Sequence, residues 1–204
     1  MKNLNILVLV SGGGTNLQAL IDAEKSGAQI AGVKIAAVVS DRPDVYALER
    51  AGAAGIPAFV ETPNRSLPKP ERRKELSDRI LALCRQMQIG LIVYAGFLSI
   101  LTDEIINEYC GRMINIHPAL LPKFGGHGMY GINVHRAVLA AGEKESGCTV
   151  HIVDAGTDTG PILLQRKVPV LVADTPELLA GRVLEQEHFA IVEGVKIIAQ
   201  RLSD

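Results

Sequence analysis

The apolar residues of this chain occur in short unbroken runs, and helical patterns separate one run from the next. Residues 4–10 and 33–40 are rich in Val, Leu and Ile and lack the polar alternation of a strand with one wet face. Such runs are typical of strands that are buried on both faces, as parallel sheets require. After the first run, Leu17, Leu20 and Ile21 recur at helical spacing. The alternation predicts an α/β fold in which helices cover a mainly parallel sheet.

The predicted elements extend over most of the chain, with no internal repeat and no low-complexity linker. Strands are expected at residues 4–10, 33–40, 56–60, 89–95, 112–117, 148–153 and 162–170. Helices are expected from about residue 15 to Gly27, from the turn at 41–44 with Pro43 near the first position, and at about 71–87, 102–109, 134–141 and 176–200, the last with Thr175 as its N-cap. Because a short turn joins the last two strands, we expect them to be antiparallel.

The composition excludes several classes of partner and indicates one domain over residues 1–204. Apolar residues make up 48% of the 204 residues and aromatic residues 4%, which is typical of a globular protein with an aliphatic core. A formal charge of −1 gives no strong field for nucleic acid or an anionic membrane. The cysteines (Cys84, Cys110 and Cys148) lack metal-site spacing, so reduced thiols and no metal are expected. Without a signal-peptide cleavage site or an apolar run of ~20 residues, a cytoplasmic location is expected.

A glycine-rich turn, Ser-Gly-Gly-Gly-Thr-Asn at residues 11–16, connects the first strand to the first helix. Glycines leave room for backbone N–H groups to gather around an anion at the N-terminus of the helix. Thr15 and Asn16 add a hydroxyl and an amide. The turn departs from the dinucleotide-binding fingerprint, since Leu17 occupies its last glycine position, and it lacks the Gly-Lys-Ser/Thr ending of a Walker loop. The alternatives are a phosphate site, which we favour, and a tight turn that binds nothing.

Asn115 and His117 stand two residues apart at the end of an apolar run, directly before Pro118. Positions two apart in a strand face the same side, and the proline ends the ladder there. An amide on a buried strand is costly unless it has partners, and its N–H can stabilise an oxyanion. A histidine can move protons near neutral pH. We therefore favour a catalytic pair over a capping amide and a structural histidine.

Acidic residues further along the chain are candidates to act with this pair. Asp154 and Asp158 flank a turn, where either one can orient His117 or order a water, or simply shape the turn. The residues alone do not choose between them. His151 is taken as structural. Glu187, in a helix whose neighbours are largely apolar, is a candidate to receive a substrate amine or a ribose hydroxyl.

Five segments, taken in order, resemble the phosphoribosylglycinamide formyltransferases, a folate-dependent family of purine synthesis. They are residues 11–16, 95–97, 115–122, 154–161 and 186–188. The resemblance covers nearly the whole chain, and the Asn-Ile-His-Pro-x-Leu-Leu-Pro motif at 115–122 marks the wider formyltransferase superfamily. It implies a Rossmann-like three-layer sandwich with a mainly parallel central sheet and an antiparallel C-terminal strand pair. The implied reaction transfers a formyl group from 10-formyltetrahydrofolate to the amine of glycinamide ribonucleotide, without a metal.

The resemblance also implies roles for the residues that match family motifs, with the nucleotide in the N-terminal half and folate and catalysis in the C-terminal half. The phosphate would be bound by Gly14, Thr15 and Asn16, and the glycinamide or ribose by Glu187. The folate would be bound by Leu98, Ser99, Ile100 and Leu101, with Arg73 nearby. The catalytic residues would be Asn115, His117 and Asp158, the last preferred to Asp154 by its spacing from His151. Asn115 and protonated His117 would stabilise the oxyanion, and Asp158 would raise the pKa of His117.

Two departures from the family pattern carry consequences. Ser99 stands where the family often has Arg, so a contact made by that Arg is in doubt. The glycine-rich loop at residues 123–134 is longer than in the shorter family pattern, and it is either a lid over the substrates or a surface insertion. Other readings are a transformylase of methionyl-tRNA, whose C-terminal extension is absent, a formyltetrahydrofolate hydrolase, whose N-terminal domain is absent, and a nucleotide-binding regulatory module. A homodimer is compatible with the resemblance.

Overall fold

The strands of the chain assemble into one mixed sheet. The computed structural model describes residues 4–27 and 30–203. The strands of this part are β1 (Leu4–Val10), β2 (Val33–Ser40), β3 (Ala58–Val60), β4 (Leu91–Tyr94), β5 (Met113–His117), β6 (Glu145–Ile152) and β7 (Ile162–Pro169). Within the described ranges these seven strands follow the spatial order β3-β2-β1-β4-β5-β6-β7.

The sheet is parallel from β3 to β5 and antiparallel beyond it. Parallel ladders join β3 to β2, β2 to β1, β1 to β4 and β4 to β5. Antiparallel ladders join β5 to β6 and β6 to β7. The predicted parallel sheet and the antiparallel final pair are therefore confirmed. The antiparallel pairing of β5 with β6 was not predicted, and it matters for the site described below.

Helices cover both faces of the sheet. They are α1 (Thr15–Ser26), α2 (Tyr46–Ala53), α3 (Lys69–Gln86), α4 (Glu104–Glu108), α5 (Ile132–Ala140) and α6 (Pro176–Arg201). One core packs α1, α2, α5 and α6 against the sheet, and the other packs α3 and α4. Strand β1 serves both, since Ile6 and Val8 enter the first core while Leu7 and Leu9 enter the second. This three-layer arrangement explains why the strand is apolar at every position from Ile6 to Val10.

Local signals placed most helix ends within a few residues of where they lie. Gly27 ends α1 in the left-handed conformation at φ 66°, and the Thr175 hydroxyl accepts a hydrogen bond from Leu178 N, as expected of an N-cap. The predicted start of α2 is wrong. Pro43 lies in the preceding turn, because Asp44 takes a φ of 54° that a right-handed helix does not continue, and α2 begins at Tyr46.

Candidate active site

A cavity of about 910 Å³ lies beside the C-terminal ends of β4 and β5 and holds most of the side chains to which the sequence analysis gave roles. Those residues are Asn16, Arg73, Leu98, Ser99, Ile100, Leu101, Asn115, His117, Asp158 and Glu187. Gly14 and Thr15 are outside the lining and lie at the start of α1, next to Asn16. The position agrees with the rule that open α/β sheets bind ligands at the C-terminal ends of their strands.

Asn115 and His117 both face Asp158, which lies in the turn between β6 and β7. Asn115 Nδ2 is 3.4 Å from Asp158 Oδ1, and His117 Nδ1 is 3.5 Å from Asp158 Oδ2. The common direction of the first two follows from the two-residue period of β5. An amide, an imidazole and a carboxylate therefore meet beside one cavity. This combination of groups can stabilise an oxyanion and transfer a proton.

The structure distinguishes the two aspartates that the residues alone left open. Asp154 Oδ1 accepts hydrogen bonds from Gly156 N at 2.9 Å and from the Thr159 hydroxyl at 2.8 Å, which is ordinary turn chemistry. Asp158 instead contacts the polar groups of β5 and accepts a hydrogen bond from Gly126 N at 2.9 Å. Asp158 is thus the aspartate that the fold brings to His117.

His151 belongs to the same cluster, which the sequence analysis missed. Its Nδ1 donates to Ile152 O at 2.9 Å, so its Nε2 is the nitrogen that accepts from Asn115 Nδ2 at 3.1 Å. That Nε2 is also 3.6 Å from Asp158 Oδ1. The antiparallel register places His151 directly opposite Asn115. The pairing of β5 with β6 was the missing signal, and no short motif in the chain records it.

Burial outweighs the aspartate in setting the charge of His117. Burial lowers the pKa of His117 below its usual value of 6.5, although the Asp158 charge and the Phe124 carbonyl act in the opposite direction. Asp158 therefore acts on the pKa of His117 in the expected direction, but burial outweighs it because the side chain is only 5% exposed. Burial acts to raise the pKa of Asp158, but its polar contacts, among them the hydrogen bond from Gly126 N, bring it below its usual 3.8. The aspartate is therefore a charged partner for a histidine that is neutral near pH 7.

The glycine-rich turn meets α6 through a buried hydrogen bond. Asn16 Nδ2 donates to Glu187 Oε2 at 2.8 Å, and both residues line the cavity. Asn16 Oδ1 is buried and has no hydrogen-bond partner among the residues that the structure describes. Burial raises the pKa of Glu187, and the Asn16 amide partly offsets this effect. Gly14 has a φ of 71°, and a Cβ there would lie 2.6 Å from Ala47 Cβ, so only glycine fits at this position.

The segment that follows β4 is anchored to the glycine-rich turn and to Asp41, the residue directly after β2. Leu98 N donates to the Ser11 hydroxyl at 2.8 Å, and the Ser99 hydroxyl donates to Asp41 Oδ2 at 2.6 Å. The Ser99 hydroxyl is therefore bonded to a buried carboxylate and does not donate to a ligand. Cationic side chains from another part of the chain line the same cavity. They are Arg65, Lys69, Arg72 and Arg73.

The glycine-rich loop at residues 123–131 is attached to two of the candidate catalytic residues. His117 Nε2 donates to Phe124 O at 2.8 Å, which leaves Nδ1 as the nitrogen that can exchange a proton. Gly126 N donates to Asp158 Oδ2. Residues 126–132 also line the cavity. The loop is thus part of the wall of the site, and its movement as a lid stays a prediction.

The sequence predicts neither a metal site nor a membrane-spanning helix. In residues 4–27 and 30–203, no group of three or more His, Cys, Asp or Glu side chains is placed so that it could hold a metal ion. Across the same residues, none of the helices combines the length and the apolar character needed to cross a bilayer.

Comparison with known proteins decides the family. The formyl transferase family model matches residues 4–195. The chain belongs to the formyl transferase family. It is 40% identical over 185 residues to the phosphoribosylglycinamide formyltransferase of Escherichia coli K12, covering 91% of this chain and 82% of that enzyme. The structure of a phosphoribosylglycinamide formyltransferase from Coxiella burnetii is 40% identical with a TM-score of 0.85, covering 98% of this chain and 89% of that one.

A related sequence also occurs within a much longer protein. The chain is 40% identical over 209 residues to the trifunctional purine biosynthetic protein adenosine-3 of Drosophila melanogaster. The match covers 99% of this chain but only 15% of that protein. The resemblance to phosphoribosylglycinamide formyltransferases that the motifs indicated is thereby confirmed, as is the α/β fold that it implied.

Proposed function

We propose that this chain transfers a formyl group from 10-formyltetrahydrofolate to the amine of glycinamide ribonucleotide. The observation that carries the proposal is the meeting of Asn115, His117 and Asp158 beside a cavity that extends from Asn16 to Leu98. Its volume of about 910 Å³ is near the upper end of ordinary ligand sites, which span about 300–1,000 Å³. That size suits a site that holds a nucleotide and a folate together.

In this proposal the nucleotide binds at the glycine-rich turn. Gly14, Thr15 and Asn16 bind the phosphate, because the first N–H groups of α1 have no carbonyl partner within the helix. Glu187 binds the ribose or the glycinamide. Its buried carboxylate has a raised pKa and one hydrogen bond from Asn16, so a hydroxyl or amine from a substrate would satisfy it further.

The folate binds on the other side of the reacting centre. Leu98, Ser99, Ile100 and Leu101 hold the pteridine, mainly through their backbone and apolar surface, since the Ser99 hydroxyl is bonded to Asp41. Arg73 lies further along the cavity, among the other cationic side chains. These cations suit the negatively charged end of a folate.

The reaction proceeds by direct attack of the substrate amine on the formyl carbonyl. Negative charge develops on the carbonyl oxygen as the carbon becomes tetrahedral. The Asn115 N–H that faces Asp158 is held at a long 3.4 Å, so it can turn to the oxyanion while the other N–H stays on His151. The attacking amine gives up a proton to His117 Nδ1 beside Asp158, and the developing negative charge favours the imidazolium form. Collapse of the intermediate breaks the bond to the folate nitrogen, which receives that proton from His117, and releases tetrahydrofolate and the formylated nucleotide.

Mixing the chain with glycinamide ribonucleotide and 10-formyltetrahydrofolate tests the proposal. We expect deformylated folate and formylated nucleotide in equal amounts, and no folate conversion when the nucleotide is omitted. Release of formate without the nucleotide would instead identify a hydrolase. Binding of both ligands without turnover would identify a regulatory module and contradict the proposed reaction.

A further inference from the structure

Arg50, on α2, forms a hydrogen bond with the glycine-rich turn. Its Nε donates to Gly13 O at 2.8 Å and its Nη1 donates to Gln18 Oε1 at 3.0 Å. The guanidinium also lies over the ring of Tyr46, 4.7 Å from the ring centroid. A planar group held on several sides in this way has one orientation, so the Gly13 carbonyl that it binds is held in place as well.

The carbonyls of Gly12 and Gly14, on either side of Gly13, also accept hydrogen bonds from neighbouring helices. Gly12 O accepts from Ala47 N at 3.1 Å, at the start of α2. Gly14 O accepts from Gln18 N at 2.9 Å, within α1. Three consecutive carbonyls are therefore fixed, two of them by α2 and one by α1.

Fixing these carbonyls also fixes the direction of the N–H groups that follow them. The peptides of the turn are trans, since the cis bond among the described residues joins Leu121 to Pro122. In a trans peptide the N–H points opposite to the C=O of the same plane. With the carbonyls of Gly12 and Gly13 turned toward α2, the N–H groups of Gly13 and Gly14 point away from it. Successive N–H groups on one side of a turn form an anion-binding concavity.

We propose that Arg50 is a positioning residue for the phosphate of the nucleotide. By holding the Gly13 carbonyl it directs the Gly14 N–H toward the anion, without touching the anion itself. The proposal rests on the proposed function, in which this turn binds the phosphate. It implies that Lys cannot replace Arg50, because an ammonium keeps the charge but lacks the planar fork that bridges Gly13 and Gln18.

The test compares Arg50→Gln and Arg50→Lys with Arg42→Gln as the matched control. Arg42 is an exposed cation near the start of the same helix, and its contact is with Asp41 at 3.9 Å rather than with the turn. Arg50→Gln should raise the KM for glycinamide ribonucleotide about tenfold, the loss expected for a hydrogen bond to a charged group. The turnover number and the KM for folate should stay unchanged. Arg50→Lys should recover little of the loss, and Arg42→Gln should behave like the wild-type chain.

A second readout follows the backbone itself. In the wild-type chain, titration with inorganic phosphate should shift the ¹⁵N–¹H resonances of Gly13 and Gly14, and Arg50→Gln should abolish the shift of Gly14. If Arg50→Gln does not fold, Gln18→Ala and Tyr46→Leu each remove one support of the guanidinium. Each should then raise the nucleotide KM severalfold.

Several results would overturn the positioning role. An unchanged nucleotide KM in Arg50→Gln would do so, as would full recovery in Arg50→Lys or an equal loss in Arg42→Gln, since either of these means that charge alone matters. Absence of formyl transfer by the wild-type chain would overturn the proposed function instead. In that case the phosphate titration tests the role of Arg50. A phosphate-induced shift of the Gly14 resonance that disappears in Arg50→Gln supports the positioning role, and the absence of any such shift in the wild-type chain contradicts it.

Discussion

Replacing Asp158 by Asn removes the charge of this side chain while keeping its size and its acceptor for Gly126 N. The carboxylate lies 3.5 Å from His117 Nδ1. At that distance two unit charges interact by about 5 kcal/mol at an effective dielectric constant of about 20, and by about 1 kcal/mol in bulk water. The Asp158 side chain is 11% exposed, so the value lies between these limits. In the Asp158→Asn variant, an imidazolium formed on His117 during the reaction should lose about 3 kcal/mol of electrostatic stabilisation. This loss should lower kcat/KM roughly 10²-fold.

The assay is steady-state formyl transfer, followed by the absorbance of the deformylated folate from about pH 5 to about pH 9. Asp154→Asn is the matched control, because it neutralises an aspartate of the same turn that bonds to Gly156 and Thr159 instead of His117. It should stay within a few-fold of the wild-type rate. A folded Asp158→Asn variant with near-normal kcat/KM, or equal losses in the two variants, would refute the electrostatic role of Asp158.

Three further measurements follow from the same site. Asn115→Ala should lower turnover by about 10²–10³, as removal of an oxyanion donor does, and near-normal turnover would exclude that role. Burial lowers the pKa of His117, His135 and His188 below 6.5, so the unfolded chain binds more protons below that pH. The free energy of unfolding from denaturant titrations should therefore fall as the pH decreases from 6.5, by up to about 1.4 kcal/mol per pH unit for each of the buried His117 and His135 and by less for the more exposed His188, and a flat profile would contradict this. Shortening the loop at residues 126–130 should raise both Michaelis constants if the loop closes over the substrates, whereas unchanged kinetics would exclude a lid.

The fold was predictable because its strongest signals are local. Strand β1 is apolar at every position from Ile6 to Val10 since its two faces enter two different cores, and this pattern is visible in the sequence alone. Gly27 and Thr175 likewise mark helix ends through their own backbone or side-chain chemistry. The start of α2 was misplaced because a positive φ at Asp44, a conformation that non-glycine residues seldom take, overrides the preference of Pro43 for a first helical turn.

The candidate site was predictable where it depends on strand periodicity and not where it depends on register. Asn115 and His117 share a direction by virtue of their two-residue spacing. His151 joins them only through the ladder between β5 and β6, and Arg50 reaches the glycine-rich turn from another helix, 37 residues away from Gly13. The lowered pKa of His117 depends on burial, which an adjacent carboxylate in the sequence pattern does not reveal.

The hydrogen bond from Leu98 N to the Ser11 hydroxyl joins the ends of two adjacent strands, β1 and β4. If one reactant binds at each of these strand ends, the distance between the two reactants is set by the sheet and does not depend on a hinge motion. The two bound reactants then react as if they were parts of one molecule, and well-oriented intramolecular reactions reach effective molarities of about 10⁵–10⁸ M. On this arrangement, no large rearrangement of the chain would be needed to bring the two reactants together.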